Sequence, residues 1–265
     1  MKFKPYAYLI VLFILPALAC NTLTIGNSKV NGSGNITTKT YDVKDFSRVT
    51  LEGFGDVYIT QGETEELSVE ADDNMFAQLD IRVRGDELIL GVKPNISLNP
   101  SRSIVYHLTV RDLKNITLAG SGNFYSDAVQ TNDLKILLAG SGDIEVKGLS
   151  GSGLDINLSG SGNITVRKIA VTSVATSING SGDIKLDGKA DKQTIDVNGS
   201  GNYIAGDLET DSASISIMGS GNLTLWAKDK LDIRVNGSGD VSYYGRPTVD
   251  QSGFGSGNVK SLGEK

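Results

Sequence analysis

The amino-acid sequence predicts an all-β chain wound as a right-handed parallel β-helix, with about 20 residues per coil and a less regular β cap at its N-terminal end. The first observation behind this is a recurring phrase, Gly-Ser-Gly followed by Asn or Asp. Its last residue falls at Asn123, Asp143, Asn163, Asp183, Asn202, Asn222, Asp240 and Asn258, at intervals of 18 to 20 residues. Self-similarity at such a period marks a stack of coils that bury their apolar faces only against one another. The second observation is alternation on both sides of the phrase. Ile116 and Leu118, Ile136 and Leu138, and Ile156 and Leu158 precede it, while Phe124 and Ser126, Ile144 and Val146, and Ile164 and Val166 follow. A spacing of two is the period of a strand with one face inward, and the β-branched residues that dominate these places suit strands. A weaker apolar position at Val129, Leu149, Ile169 and Leu208 predicts a third, irregular side to each coil. The right hand follows from the preference of parallel crossover connections.

The phrase itself reads as a corner. Glycine adopts positive φ at low cost and also lets stacked backbones approach closely. Ser, Asn and Asp hydrogen-bond to neighbouring backbone groups. With coils about 4.8 Å apart, the eight terminal Asn and Asp residues are expected to stack into a structural turn ladder. Mixing Asn with Asp spreads the negative charges apart.

In chain order, residues 1–19 read as an export signal: Lys2 and Lys4 precede the apolar run Tyr6 to Leu15, which is too short to span a bilayer. Pro16-Ala17-Leu18-Ala19-Cys20 resembles a bacterial lipobox, with Cys20 the residue to be lipidated and Ala17 a departure from the usual leucine. Ordinary cleavage near Ala19, leaving Cys20 as a free thiol, is the alternative. Residues 20–40 are polar and are expected to form a lipid-anchored tether that holds a first, loosely formed coil, followed by a β-helix domain over 41–265. Its first part, 41–115, is irregular. The phrase occurs at Gly32 to Asn35 and, as Gly53-Phe54-Gly55-Asp56, once more, and then is missing as far as Asn123, a gap of about three coils. Within the gap, Asp73 to Leu79 suits a short helical turn and Gly85-Asp86 a hairpin reversal. Coils over 116–260 are regular. Gln251 and Gly253 then occupy formerly apolar positions, which predicts a closing cap.

Composition narrows the functions. The chain is acidic, with net charge −6 and no Lys/Arg cluster, so no nucleic-acid partner is expected. A single cysteine precludes an intramolecular disulfide. Parallel β-helices include pectate lyases, which makes a polysaccharide enzyme the serious competitor to a binding protein. Such chemistry needs carboxylates gathered on one patch. Asp143 and Asp183 lie two coils apart, about 10 Å by strand spacing, which is wide for a retaining pair though tolerable for an inverting one. Calcium prefers six to eight oxygens, and each phrase offers at most one acid, so neither a metal nor a cofactor is expected. His107 is the only histidine and reads as structural or exposed. Arg84-Gly85-Asp86 spells an integrin-read tripeptide, but Gly-Asp also suits a hairpin turn by itself. Gly151-Ser152-Gly153 is out of register with the repeat and reads as a loop. Trp226, Tyr243 and Tyr244 would suit stacking on sugars if exposed, although Tyr243 holds an inward position.

Phe46-Ser47-Arg48-Val49, Gly53-Phe54-Gly55-Asp56-Val57, Ile59-Thr60-Gln61-Gly62 and Leu118-Ala119-Gly120-Ser121-Gly122-Asn123, in this order, resemble the bacterial head GIN domain family of autotransporter-adhesin-type heads. The resemblance spans about residues 40 to 260. It implies a β-helical fold and an adhesin-like role, and it supplies no catalytic residues. The expectation is therefore an exported, adhesin-like binding or structural protein of the bacterial cell envelope, lipid-anchored to the outer membrane on its periplasmic or its surface side, with an envelope or surface ligand, polysaccharide or protein, and without catalysis. The alternative is a polysaccharide-binding or polysaccharide-cleaving β-helix.

Overall fold

The structure is a computed structural model that describes residues 28–265; the expected export signal and Cys20 lie outside the described residues. The N-terminal part holds β1 (Ser28–Asn31), β2 (Ile36–Tyr41), β3 (Arg48–Leu51), β4 (Asp56–Gln61), β5 (Glu66–Asp72), β6 (Leu79–Arg84), β7 (Glu87–Val92), β8 (Ile96–Asn99) and β9 (Val105–Val110). The repeating part holds β10 (Asn115–Leu118), β11 (Asn123–Gln130), β12 (Asp133–Leu138), β13 (Ile144–Ser150), β14 (Gly153–Leu158), β15 (Ile164–Ile178), β16 (Ile184–Val197), β17 (Tyr203–Ile217), β18 (Leu223–Val235), β19 (Val241–Tyr244), β20 (Thr248–Ser252) and β21 (Val259–Ser261). Among the described residues the one helical piece is a 3-10 turn, Phe76–Gln78, within the stretch that suited a helical turn.

From β10 onward, every strand pairs in parallel with its equivalent one coil on: Ile116 faces Ile136, Ile136 faces Ile156, and Ile144 faces Ile164. These inward residues are almost wholly shielded from solvent and form one continuous core with their counterparts along the stack. The third side is more regular than its weak apolar signal suggested. Ala128, Val129 and Gln130 pair with Gly148, Leu149 and Ser150, so this side is sheet as well, interrupted by bulges such as that between Val166 and Ile169. A single apolar position per coil sufficed there because the backbone pairing supplies the rest.

The glycines of the phrase recur for one of the two expected reasons. Positive φ occurs at glycines 34, 55, 85, 188, 245, 253 and 263, none of which belongs to the stacked corners from Gly120 to Gly239. Close approach decides these corners. A Cβ on Gly142 or Gly162 would lie closer than 3.0 Å to the carbonyl oxygen of Gly122 or Gly142 one coil below, a separation real Cβ atoms do not reach. The backbone of one corner thus rests directly on the next.

The long gap in the phrase closes in space. Asn123 pairs with Asp56, and Ser121 N donates to Gly53 O at 3.0 Å, so Gly53-Phe54-Gly55-Asp56 lies immediately beneath the first regular corner. Coil order therefore departs from chain order: β3 and β4 lie between the coil of β7 and β9 on one side and that of β10 and β11 on the other. Instead of three coils, the gap contributes one parallel layer and a set of antiparallel strands. β5 pairs with β9, β2 pairs with β5, and β6 pairs with β7 through a hairpin at Gly85. Part of the polar segment expected to be tether belongs to this cap, since β1 pairs with β8 and β2 covers β5. Gly32 to Asn35 do not join the glycine column. They wrap the turn at Asp72 to Asn74, with Gly34 N donating to Asp72 Oδ1 at 2.7 Å and Asn35 Nδ2 to Asp73 Oδ2 at 2.9 Å.

Near the other end the interval falls to 18 residues, and β17 must bulge to stay paired: Ala205 and Glu209 face the adjacent residues Leu225 and Trp226. The bulge leaves the Trp226 carbonyl for buried side chains to satisfy. Thr210 Oγ1 donates to it at 2.7 Å, Gln193 Nε2 donates to Thr210 Oγ1 at 2.8 Å, and Tyr203 OH donates to Gln193 Oε1 at 3.0 Å. A polar group buried without a partner is costly, so this network belongs with the shortened coil.

Candidate functional site

One sheet runs from the N-terminal cap to the last coil of the described residues. In spatial order it contains β2, β5, β9, β4, β11, β13, β15, β16, β17, β18, β19 and β21. Inward residues feed the core, so the alternate residues make an outer face of aligned rows. One row is the Asn/Asp column, which holds all eight phrase residues above Asp56. Each side chain reaches one coil along the axis. Asn123 Oδ1 accepts from Asp143 N at 2.9 Å, Asp143 Oδ1 from Asn163 N at 2.8 Å, and Asn163 Oδ1 from Asp183 N at 3.0 Å. The chain of caps continues through Asn202, Asn222 and Asp240 to Asn258.

Alternation now has a chemical reason besides charge spacing. An Asn above an Asp donates its amide to the same oxygen, as Asn163 does to Asp143 at 3.1 Å and Asn202 does to Asp183 at 2.8 Å. Because the cap needs only Oδ1, Asp183→Asn is expected to leave the unfolding midpoint nearly unchanged. Asp183→Ala strands the Asn202 N–H and amide and is expected to cost about 1 kcal/mol in denaturant unfolding.

The neighbouring row carries the aromatic residues. Thr40, Ser68, His107, Tyr58, Tyr125, Glu145, Thr165, Lys185 and Ile204 follow one another across adjacent strands. His107 and Tyr58 stack with ring centroids 5.7 Å apart, and Tyr58 and Tyr125 with centroids 5.1 Å apart, both pairs 21° from parallel. Tyr58 is 45% exposed. His107 Nε2 lies 3.5 Å from Glu70 Oε1. Burial pushes the Tyr125 phenol up from its ordinary pKa, and the nearby carboxylates of Asp56, Asp143 and Glu145 push the same way. The ring stays a neutral hydrogen-bond donor. This stack escapes sequence reading because residues 58, 107 and 125 become neighbours only through the out-of-order coils.

Beyond Tyr125 the row opens into a groove of about 520 Å3. Its floor is Glu145, Thr165 and Lys185, its far end is Ile204, and its side wall is Asp143, Asn163 and Asp183 of the ladder. Two larger hollows, about 760 and 810 Å3, meet at Thr131 and Asn132 around the third side. Backbone and paired charges such as Lys135–Asp155 at 3.5 Å line them, and neither contains an aromatic ring. At the C-terminal end, the Lys265 ammonium covers the Trp226 and Tyr244 rings at 5.7 and 4.9 Å from their centroids. Those rings are therefore already occupied, and Tyr243 packs partly buried against the core. Arg84-Gly85-Asp86 forms the β6–β7 hairpin. Among the described residues no group of three or more His, Cys, Asp or Glu is placed to hold a metal.

Comparison with known proteins places this architecture. The family model described as "Putative auto-transporter adhesin, head GIN domain" matches residues 45–167 and 136–247. The chain belongs to the head GIN domain family. Solved structures similar to this head GIN chain include a "Putative lipid binding protein" from Parabacteroides distasonis, 30% identical, with a TM-score of 0.85 over 89% of this chain and 100% of that one. A "putative adhesin" from Parabacteroides merdae is 25% identical, with a TM-score of 0.80 over 88% and 99%. A second "putative adhesin" from P. distasonis, 24% identical with a TM-score of 0.82 over 89% and 100%, shares the fold. No curated protein matches the head GIN chain.

Proposed function

We propose that this chain is an exported, lipid-anchored, adhesin-like binding protein of the bacterial cell envelope that acts by presenting a surface rather than by catalysis. The observation that carries the proposal is the uninterrupted sheet from β2 to β21, an outer face of aligned side chains held by the glycine corners and the Asn/Asp caps. A rigid scaffold of this kind presents a binding surface at little ordering cost. The family description and the names of relatives support the adhesin-like reading. The name of the P. distasonis relative points to lipid instead. Here the interior is filled by side chains such as Ile156, Leu158 and Ile164, all at 0% exposure, which favours a surface ligand over an enclosed acyl chain.

Anchoring is assigned to Cys20. Among the described residues no helix is long and apolar enough to cross a membrane. Fractionation of cells is expected to find the wild-type chain in the membrane and Cys20→Ser in the soluble fraction. Protease added to intact cells is expected to remove the wild-type chain, and cells lacking it are expected to attach less well to their surface. Resistance to the protease in intact cells, with full digestion after lysis, would place the chain inside and defeat the adhesin reading.

A further inference from the structure

We infer that the groove between Tyr125 and Ile204 is a binding site for a neutral glycan. The inference deepens the adhesin-like reading and rests on it for the setting in which such a ligand is met. Its first ground is the free face of Tyr125. Because Tyr58 covers one side of that ring at 5.1 Å, the other side looks along the solenoid axis into the groove as an end wall. The residue directly across is Glu145, which lines the groove together with Tyr125 and pairs with Arg167, whose Nε lies 3.8 Å from Glu145 Oε1. Thr165 follows and is short. Lys185 comes next, and Ile204 closes the far end, about 19 Å from Tyr125 by strand spacing.

The second ground is the character of the side wall. The ladder engages Oδ1 of Asp143 and Asp183 and leaves Oδ2 of each out of the caps. These oxygens stand two coils apart on the side wall, and Glu145 adds a further acceptor in the next row beside Asp143, in a groove that begins at an aromatic face. A pyranose ring matches this pairing. Its C–H face meets the negative face of an aromatic ring, and its hydroxyls donate to carboxylates. A few fixed polar groups beside an apolar wall, in a hollow of a few hundred Å3, is also the usual make-up of a small-ligand site.

Charge selects within the class. Asp143, Glu145 and Asp183 outnumber Lys185 in the groove, and the whole chain is acidic. A uronate-rich chain would meet like charge, so the occupant is a neutral hexose, deoxyhexose or N-acetylhexosamine.

The test is binding of the purified protein to a printed array of neutral glycans, with polygalacturonate and hexalysine alongside, followed by calorimetry on whatever neutral oligosaccharide is retained. Wild type is expected to retain a neutral glycan and to leave polygalacturonate unbound. Tyr125→Ala is expected to weaken binding at least tenfold, Tyr125→Phe to retain most of it, and Asp143→Asn, which keeps its Oδ1 cap, to weaken it several-fold. Unfolding curves show whether each variant is folded. Failure to retain any neutral glycan, or binding indifferent to Tyr125→Ala, overturns the inference. So does retention of hexalysine that is lost in Asp143→Asn, which would make the groove a site for cationic peptides. Attachment of cells separates this from the broader reading: if Tyr125→Ala cells attach as wild type does while cells lacking the chain do not, the groove is wrong and the adhesin-like role stands.

Discussion

Gly162→Ala is expected to be among the most destabilising single-atom additions in this protein, by about 3 kcal/mol or more in denaturant unfolding. The added Cβ would fall closer than 3.0 Å to Gly142 O, with Gly142 C and Ser141 C behind it, all backbone. A flexible side chain could swing away; a carbonyl held in the sheet cannot. Gly142 O cannot retreat without disturbing its own corner, where Ser141 N donates to Gly120 O at 3.1 Å and Gly142's Cα rests on Gly122. Strain therefore passes along the column from coil to coil. Gly148→Ala is the control. A Cβ there would meet Ala128 Cβ at 3.4 Å, an ordinary contact, and the change is expected to lie within about 1 kcal/mol of wild type. Equal effects at Gly148 and Gly162 would mean that the corners are not in backbone contact. Since coil stability is largely a sum of nearest-neighbour terms, Gly162→Ala is also expected to lower unfolding cooperativity by uncoupling the coils on either side.

The same column explains how much of the architecture the sequence exposes. A corner that tolerates no side chain must be written with glycine in every coil, so period, strand positions and the ladder from Asn123 to Asn258 are all readable in one dimension. Alternation at Ile136, Leu138, Ile144 and Val146 gave the inward face for the same reason. What escapes is whatever depends on coils meeting out of order. The separation between Asp56 and Asn123 suggested about three layers, whereas β4 and β11 are adjacent and the intervening chain folds away as the cap. The row His107, Tyr58, Tyr125 is invisible for that reason, and with it the end wall of the groove. Gly32 to Asn35 misled in the opposite sense: the phrase is identical, yet its partners are Asp72 and Asp73 in place of another corner. The buried Gln193 and Thr210 were illegible because their partner, the Trp226 carbonyl, is released by a bulge and not by any residue type.

Acid is expected to open this protein first at the N-terminal cap, and Asp72 is the reason. Its side chain is fully buried where three segments meet. Ser101 Oγ donates to it at 2.6 Å, Ser101 N at 2.9 Å and Gly34 N at 2.7 Å, which ties the start of β2, the end of β5 and the loop before β9 together. The hydroxyl of Ser101, followed by the two backbone donors, holds the Asp72 carboxyl below its usual pKa against the opposing effect of burial, and Ser33 and Asn35 do the same for Asp73. A carboxylate whose pKa is depressed by folding is protonated first in the unfolded chain. Its contribution is thus complete above the unfolded pKa, about 3.9, and is lost as the pH falls through the lower folded value. Hydrogen exchange followed from pH 7 down to pH 3, corrected for the intrinsic rate, is expected to show residues 28–41 and 99–103 losing protection before the coils over 116–240. Asp72→Asn offers one acceptor oxygen for three donors and turns an amide toward them. It is expected to expose residues 28–41 already at neutral pH, to leave the glycine-marked coils protected, and to flatten the acid dependence of the cap. Identical acid profiles for wild type and Asp72→Asn would show that the cap is held by its strand pairing alone, and that the buried carboxylate is incidental to it.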